Sequence, residues 1–334
     1  MNSAEAGRRV SRDKQSAGWT RSRVIVLISL VVFLVTAFGC LRMFGSRKKG
    51  APKGPMIDIV FDLDCTGSMA SELREFQSSI TDVVKRVKCG TPAPYVRFGL
   101  SGYRDKCDDY LVFKYDMEDN PDVFKSYVDG MRADGGGDRR ESINESLHTV
   151  LNEINWNWDK KVRKIVLLIG DAGPHTDYHN GIDYPDETDD AVKKGITIYT
   201  IGCSGIEEDG ERELKAIAER TGGSFHYLTY RKSIVDSSGA SSCIYKSGKN
   251  WYSRDEAANG GGDWKISIEK DIAGGTAKSV KAPPAISPLS IGKPAPGSAQ
   301  MPREKMESNI GEVCVKIIRK EMERMGIRFD APSK

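Results

Sequence analysis

The chain lacks a charge excess of either sign. Its 50 Lys and Arg stand against 47 Asp and Glu, for a formal net charge of +3. That near balance supplies no general case for nucleic-acid binding, which calls for a basic stripe or patch. Paired cysteine spacing is also missing. The seven cysteines, at 40, 65, 89, 107, 203, 243 and 314, form no Cys-x-x-Cys pair and no zinc-finger pattern. An odd number leaves at least one thiol unpaired within a monomer, and Cys89 with Cys107 is the one pairing considered for a disulfide. The Gly-Lys pairs in the carboxyl third lack the rest of a phosphate-binding loop. No nucleophile–base–orienter set is evident, so hydrolysis has no visible machinery.

What is present begins with an apolar run. Residues 24–41, VIVLISLVVFLVTAFGCL, span eighteen positions without a charge. That is short for a membrane span and long for the apolar part of a signal peptide. Arg8, Arg9, Arg12, Lys14, Arg21 and Arg23 precede it, and Arg42, Arg47, Lys48, Lys49 and Lys53 follow. The larger basic count before the run favours a cytoplasmic N-terminus with the main domain outside. The expectation is a single-pass anchor in contact with a lipid bilayer, with secretion after signal cleavage as the alternative. Residues 1–23 are then a basic tail and 42–55 a Gly/Pro/Lys linker.

The stretch that organises the remainder is Ile57 to Met69. A mostly apolar strand ends in Asp64, Thr66 and Ser68, three oxygen-bearing side chains spaced two apart, and a helix-like stretch follows. Three hard oxygens delivered by one loop suit a divalent cation. Leu73, Phe76, Ile80, Val83, Val84 and Val87 recur at helical spacing. Tyr95–Tyr103 reads as a strand, and residues 110–113 as a short edge strand. Three consecutive glycines at 135–137 make a mobile or sharply bent loop before a helix at 142–154. Val162–Ile169 is almost wholly apolar, as in a central parallel strand, and leads to Asp171. Further strands follow at 196–201 and 224–228. This order is an α/β layout. Acidic loops at Asp64, Asp138 and Asp171 then share one rim of the sheet, where open α/β sheets gather ligands.

Together these segments resemble a von Willebrand factor type A domain over about residues 55–232. DCTGSM at 64–69 resembles the family's Asp-x-Ser/Thr-x-Ser metal-ion-dependent adhesion motif. VRFGLSGYRD at 96–105, GGGD at 135–138 and IVLLIGDAGPH at 165–175 follow in the family's order. The resemblance implies an open, mostly parallel six-stranded sheet flanked by helices, with one short antiparallel edge strand. It implies that Asp64, Thr66 and Ser68 hold a metal directly or through water, and that Asp171 matches the acid after the fourth strand. The family's third loop usually gives a Thr. This chain has none there, and Asp138 or Glu141 is the substitute donor. Such oxygens suit Mg²⁺, Mn²⁺ or Ca²⁺ and not a soft metal; Mg²⁺ is the default because small ligands with retained water fit it. The bland alternative is that Thr66 and Ser68 cap the helix while Asp64 pairs with Arg104.

Other residues carry two readings each. Asp62 shares a strand face with Asp58 and Asp64, either as an outer acid near the metal or facing an Arg or Lys. His175 and His179 either form a zinc site with Asp171 and Asp177 or shape the rim. Asp105, Asp108 and Asp109 are a solvated turn or a calcium loop. Cys65 is expected to be structural. Of Trp156 and Trp158, one is expected to pack and the other to be exposed. Residues 233–302 read as a Gly/Ser/Pro-rich appendage around Trp251, Tyr252 and Trp264, followed by linker. Residues 303–325 read as an amphipathic helix that must pack on this domain, another chain or a partner. The expected function is a membrane-tethered, cation-dependent adhesion or scaffold module, not an enzyme, that meets a partner's exposed Asp or Glu. An assembly or chaperone-like subunit of a membrane complex is the alternative, and a metal-dependent hydrolase a further one.

Overall fold

Every residue of Met56–Asp64 after the first is buried, which requires a strand covered on both faces. The computed structural model describes residues 54–137, 139–178, 181–235, 241–255, 263–282 and 307–330. In chain order the first elements are β1 (Met56–Asp64), α1 (Ala70–Lys88), β2 (Tyr95–Tyr103), β3 (Val112–Glu118), α2 (Pro121–Gly130) and β4 (Arg140–Glu141). Next come α3 (Ile143–Glu153), β5 (Val162–Gly170), β6 (Gly173–Pro174), α4 (Tyr184–Lys194), β7 (Ile196–Gly202), α5 (Glu208–Arg220) and β8 (Phe225–Tyr227). The last are β9 (Thr229–Val235), β10 (Ser241–Ser247), β11 (Asn250–Ser253), α6 (Trp264–Ala273), β12 (Lys278–Val280), β13 (Glu307–Ser308) and α7 (Ile310–Arg324).

The main sheet has six strands in the order β3-β2-β1-β5-β7-β8. It is parallel except for β3, which runs antiparallel along the edge of β2. This is the open α/β sheet the sequence implies. Alternation along β1 sends Ile57, Ile59, Phe61 and Leu63 to one face, into a core with Phe76, Ile80 and Val84 of α1. Val60 goes to the other face, with Leu147 and Val150 of α3 and Leu214 and Ile217 of α5. Because β1, β5 and β7 are parallel, their carboxyl ends present Asp64, Asp171 and Cys203 along one edge of the sheet.

The described part of the carboxyl third includes a second sheet around the expected appendage, while residues 283–306, most of the expected linker, lie outside the described residues. β9 to β13 form a five-stranded antiparallel sheet in the order β12-β11-β10-β9-β13, around Tyr245, Trp264, Ile268 and Ala277. These strands are short and half-exposed, so their apolar signal is diluted by Ser, Lys and Asn. The helix expected at 303–325 is seen from Ile310. It returns to the main core, with Ile310, Val313, Ile317 and Met322 buried among α1 side chains and Arg86 of α1 pairing with Glu312.

Two expectations are corrected here. Cys89 and Cys107 are both free and exposed, so the disulfide considered between them is not formed. The membrane anchor, its bilayer contact and the single-pass localisation also do not stand. Among the described residues no helix is long and apolar enough to cross a membrane. The longest of them, α1, has 19 residues and carries Glu72, Arg74, Glu75, Asp82, Lys85, Arg86 and Lys88. Residues 24–41, on which the anchor and the signal-cleavage alternative both rested, lie outside the described residues.

Candidate metal centre

The loop after β1 folds onto itself around Asp64. Asp64 Oδ1 accepts from the Thr66 amide at 2.8 Å and from Thr66 Oγ1 at 2.6 Å. Thr66 Oγ1 lies 3.1 Å from Ser68 Oγ. Neither hydroxyl caps the helix: the N-cap positions before Gly67–Met69 and before α1 have no side-chain hydrogen bond. Nor does Asp64 pair with Arg104. The Arg104 guanidinium instead donates to the carbonyls of Cys65, at 3.1 Å, and Arg132, at 2.9 Å, and sits 4.4 Å from the centre of the Tyr110 ring. The bland reading of this motif therefore fails at both of its parts.

The other oxygen of Asp64 is the informative one. Asp64 is 1% exposed, and Oδ2 has no hydrogen-bond partner among the described residues. Burial, with the Asp171 charge next to it, pushes the Asp64 carboxyl up to about 7 against the hydrogen bonds from Thr66. Asp171 is also raised, by burial, with a Ser68 hydrogen bond opposing. The two carboxyls bear directly on each other. Out of water such a pair needs either a proton on one member or a cation beside both. The donor set of hard carboxylate and hydroxyl oxygens fits Mg²⁺, Mn²⁺ or Ca²⁺.

The third loop closes over Thr66. Gly67 N donates to Gly135 O at 3.1 Å, and Asp134 N to Cys65 O at 3.0 Å. Gly135 and Gly136 take φ of +74° and +81°, the sharp bend read from the three glycines. A Cβ on Gly136 would lie 3.1 Å from Thr66 Cβ and 3.7 Å from Glu141 Oε1. Glu141 is thus placed under this loop beside Thr66, buried at the end of β4 just before α3. A two-residue parallel ladder, β4 on β6, ties it to the loop that follows Asp171. Asp138, the other substitute donor, lies outside the described residues. Gly136→Ala should destabilise the fold by about 1–2 kcal/mol through its left-handed backbone. It should also weaken Mn²⁺ binding by moving Thr66. Urea melts with a parallel Mn²⁺ titration check both, and unchanged binding would show that the loop does not shape the site.

The remaining acids resolve into holding roles. Asp62 meets hydroxyls and no Arg or Lys: Ser146 Oγ donates to its Oδ1 at 2.5 Å, and burial pushes the carboxyl up to about 7. Asp58, at the far end of β1, pairs with Arg97 at 2.5 Å. Asp105 Oδ1 accepts from Tyr178 OH at 2.6 Å and lies 3.1 Å from His175 Nε2. His175 Nδ1 faces Asp177 Oδ1 at 2.9 Å, and its ring stacks on Tyr178. Asp108 Oδ2 accepts from Gly136 N at 2.9 Å. These contacts lock the rim loops to one another. Among the described residues no group of three or more His, Cys, Asp or Glu suited to a metal occurs, in these loops or around Asp64; His179 lies outside them. Trp156 is buried and donates to Val150 O, whereas Trp158 is exposed. Cys65 is a buried thiol pushed up to about 12 by burial and the Asp64 charge, the opposite of an activated nucleophile. A cleft of about 740 Å³ opens beside the centre, with Ser68, Glu141, Asp171 and Gly205 among its walls.

Comparison with known proteins agrees with this architecture. The von Willebrand factor type A domain model matches residues 58–237, more than half of the chain, and the chain belongs to that family. The alpha-protein kinase vwkA of Dictyostelium discoideum is 25% identical over 173 residues, covering 46% of this chain and 26% of the kinase. Proximal thread matrix protein 1 of the mussel byssus, solved with a zinc-occupied MIDAS motif, is 20% identical with a TM-score of 0.41. That match covers 52% of this chain and 41% of the other. The BatB protein of Bacteroides thetaiotaomicron is 15% identical with a TM-score of 0.38, over 51% of this chain and 89% of its own. The chain spans about a quarter of the kinase's length and under half of the byssus protein's.

Proposed function

We propose that the chain is a divalent-cation-dependent protein-binding module, of the adhesion or scaffold kind. The observation that carries this reading is Asp64 Oδ2, a buried carboxylate oxygen with no hydrogen-bond partner among the described residues and crowded by Asp171. Asp64, Thr66, Ser68 and Asp171 would hold the ion, with Glu141 or Asp138 in place of the missing third-loop Thr. Mg²⁺ is the default ion, with Mn²⁺ and Ca²⁺ acceptable to the same donors. When bound, the ion supplies an open positive position that an exposed Asp or Glu of a protein partner can fill. The residues of the chain do the rest: Thr66 orients Asp64, the 134–137 loop shields Thr66 from above, and the cleft beside Asp171 admits the partner's side chain.

The assembly-subunit reading needs the terminal helix as well as the metal site. That helix is consumed in this chain's own core, which favours the simpler binding module. A crosslinked pull-down with the full chain in Mg²⁺, in chelator, and with Asp64→Ala tests the proposal. The expected result is a partner set recovered in Mg²⁺ and lost in the other two. Equal recovery in all three would refute a cation-bridged contact.

A further inference from the structure

Beyond the loops that follow β1, β5 and β7, a residue of the second sheet contacts the elements bordering the candidate metal centre. Tyr230 lies on β9 and is 4% exposed. Its hydroxyl donates to Glu72 Oε1 at 2.9 Å and accepts from the Ser204 amide at 2.9 Å. Glu72 sits in the first turn of α1, directly after the Asp64–Ser68 motif. Its other oxygen accepts from Ser71 Oγ at 2.6 Å, so two hydroxyls fix the carboxylate. Among the described residues no Lys or Arg pairs with it, though it is only 5% exposed. A buried anion in that position is ordinarily paired or turned toward a cation. The Glu72 charge also reaches the carboxyl end of β7, where it adds to the burial that raises the Cys203 thiol.

Ser204 is the second point of contact. Lys246 Nζ, from β10, donates to Ser204 Oγ at 2.8 Å. A Cβ at the next residue, Gly205, would lie 3.6 Å from Asp171 Oδ2. Two neighbouring strands of the second sheet thus grip the loop that borders Asp171. The carboxyl-terminal segment fixes both ends of this arrangement. Thr229, one residue before Tyr230, donates to Asn309 Oδ1 at 2.8 Å and accepts from Asn309 N at 3.1 Å. α7 then packs on α1, the helix that carries Glu72.

We propose that Tyr230 is a positioning residue for the cation site: it orients Glu72 and holds the 203–205 loop against Asp171, so that the second sheet is needed for full cation affinity. This rests on the cation reading of Asp64 and Asp171 given above. Packing alone would be served by Phe; the hydroxyl is what joins a buried carboxylate to a backbone amide. The binding of an ion at Asp64 and Asp171 then depends on residues about 60 and 160 positions away in the chain, through a route made of hydrogen bonds and not of side-chain bulk.

The test is an Mn²⁺ titration of the full chain, wild type, Tyr230→Phe and Lys246→Met, read by the paramagnetic resonance of free Mn²⁺. Thermal melts in chelator run alongside. Tyr230→Phe should raise the Mn²⁺ dissociation constant by roughly 10-fold, the lower end of what removing an outer partner of a metal site does. Lys246→Met should raise it by a smaller factor. Melting in chelator should account for neither change. Should Tyr230→Phe fail to fold, Lys246→Met decides alone. Wild-type Mn²⁺ affinity in every variant that folds, whatever its melting temperature, overturns the proposal and leaves the cation site standing. A wild-type chain that binds no Mn²⁺ overturns the cation reading itself, and this proposal with it.

Discussion

Asp64→Asn will lower divalent-cation affinity by more than about 100-fold, beyond the loss seen for outer partners of metal sites. In chelator it will make the protein more stable. The two effects have one cause. Asp64 is buried, its Oδ2 has no partner among the described residues, and the Asp171 charge lies beside it. Asn keeps the acceptor for Thr66 and converts the orphan oxygen into a donor that can face Asp171. A carboxyl raised from 3.8 to about 7 corresponds to a gain on the order of 2–4 kcal/mol at pH 8 when the charge is removed. At roughly 2–4 °C per kcal/mol the shift is readily read by calorimetry in chelator. A variant that is both cation-blind and less stable would mean that Asp64 serves the fold and not the ion.

The second large effect is on the pH dependence of the metal-free protein. Asp62 and Asp64 are both raised to about 7, chiefly by burial, from an ordinary carboxyl value of 3.8. Between those values the folded state keeps protons that the unfolded state has released. Stability therefore falls as pH rises from about 4 to about 7 and levels off above that, by roughly 1.4 kcal/mol per pH unit for each group within the window. His226 works in the opposite direction, because burial lowers it below 6.5 and its contribution falls as pH drops. The carboxyl pair dominates, so melting in chelator should drop between pH 5 and 8. Mg²⁺ competes with the proton at Asp64 and should flatten half of that fall, while Mg²⁺ affinity tightens over the same range. Melting temperatures that climb from pH 5 to 8 in chelator would contradict the burial of these two carboxyls as charge-disfavouring.

The parts of the molecule legible in the sequence were those with one dominant physical requirement. A strand buried on both faces has to be apolar, and after Arg163 and Lys164 the run Ile165–Gly170 is. The stripe Leu73, Phe76, Ile80, Val84 and Val87 has one solution, a helix on a sheet. Three hard oxygens after a strand pointed to Asp64, Thr66 and Ser68 before their contacts were known. What stayed hidden depended on partners distant in the chain. Tyr230 reads as an ordinary strand aromatic until Glu72 and Ser204 are seen on its hydroxyl. Glu72 looks like a solvent-facing charge in the first turn of a helix, and is buried. His175 reads as a residue that shapes the rim, because Pro174 and Gly181 deny the four-residue spacing to His179 a helix, but its partners Asp105 and Asp177 appear only in the structure. The second sheet escaped because strands such as Ser241–Ser247 are short and carry as many polar as apolar residues. The terminal helix announced an apolar face, and only the structure shows that α1 covers it.

The central claim is that Asp64 and Asp171 form a seat for one hard divalent cation that keeps an open position. The most direct measurement is a Mn²⁺ titration of the full chain, with water-proton relaxation recorded on the bound ion. The account predicts one Mn²⁺ per chain, displaced by Mg²⁺, carrying exchangeable water, and absent in Asp64→Asn. A chain that takes up no Mn²⁺ at millimolar concentration, or binds it equally well in Asp64→Asn, would contradict it.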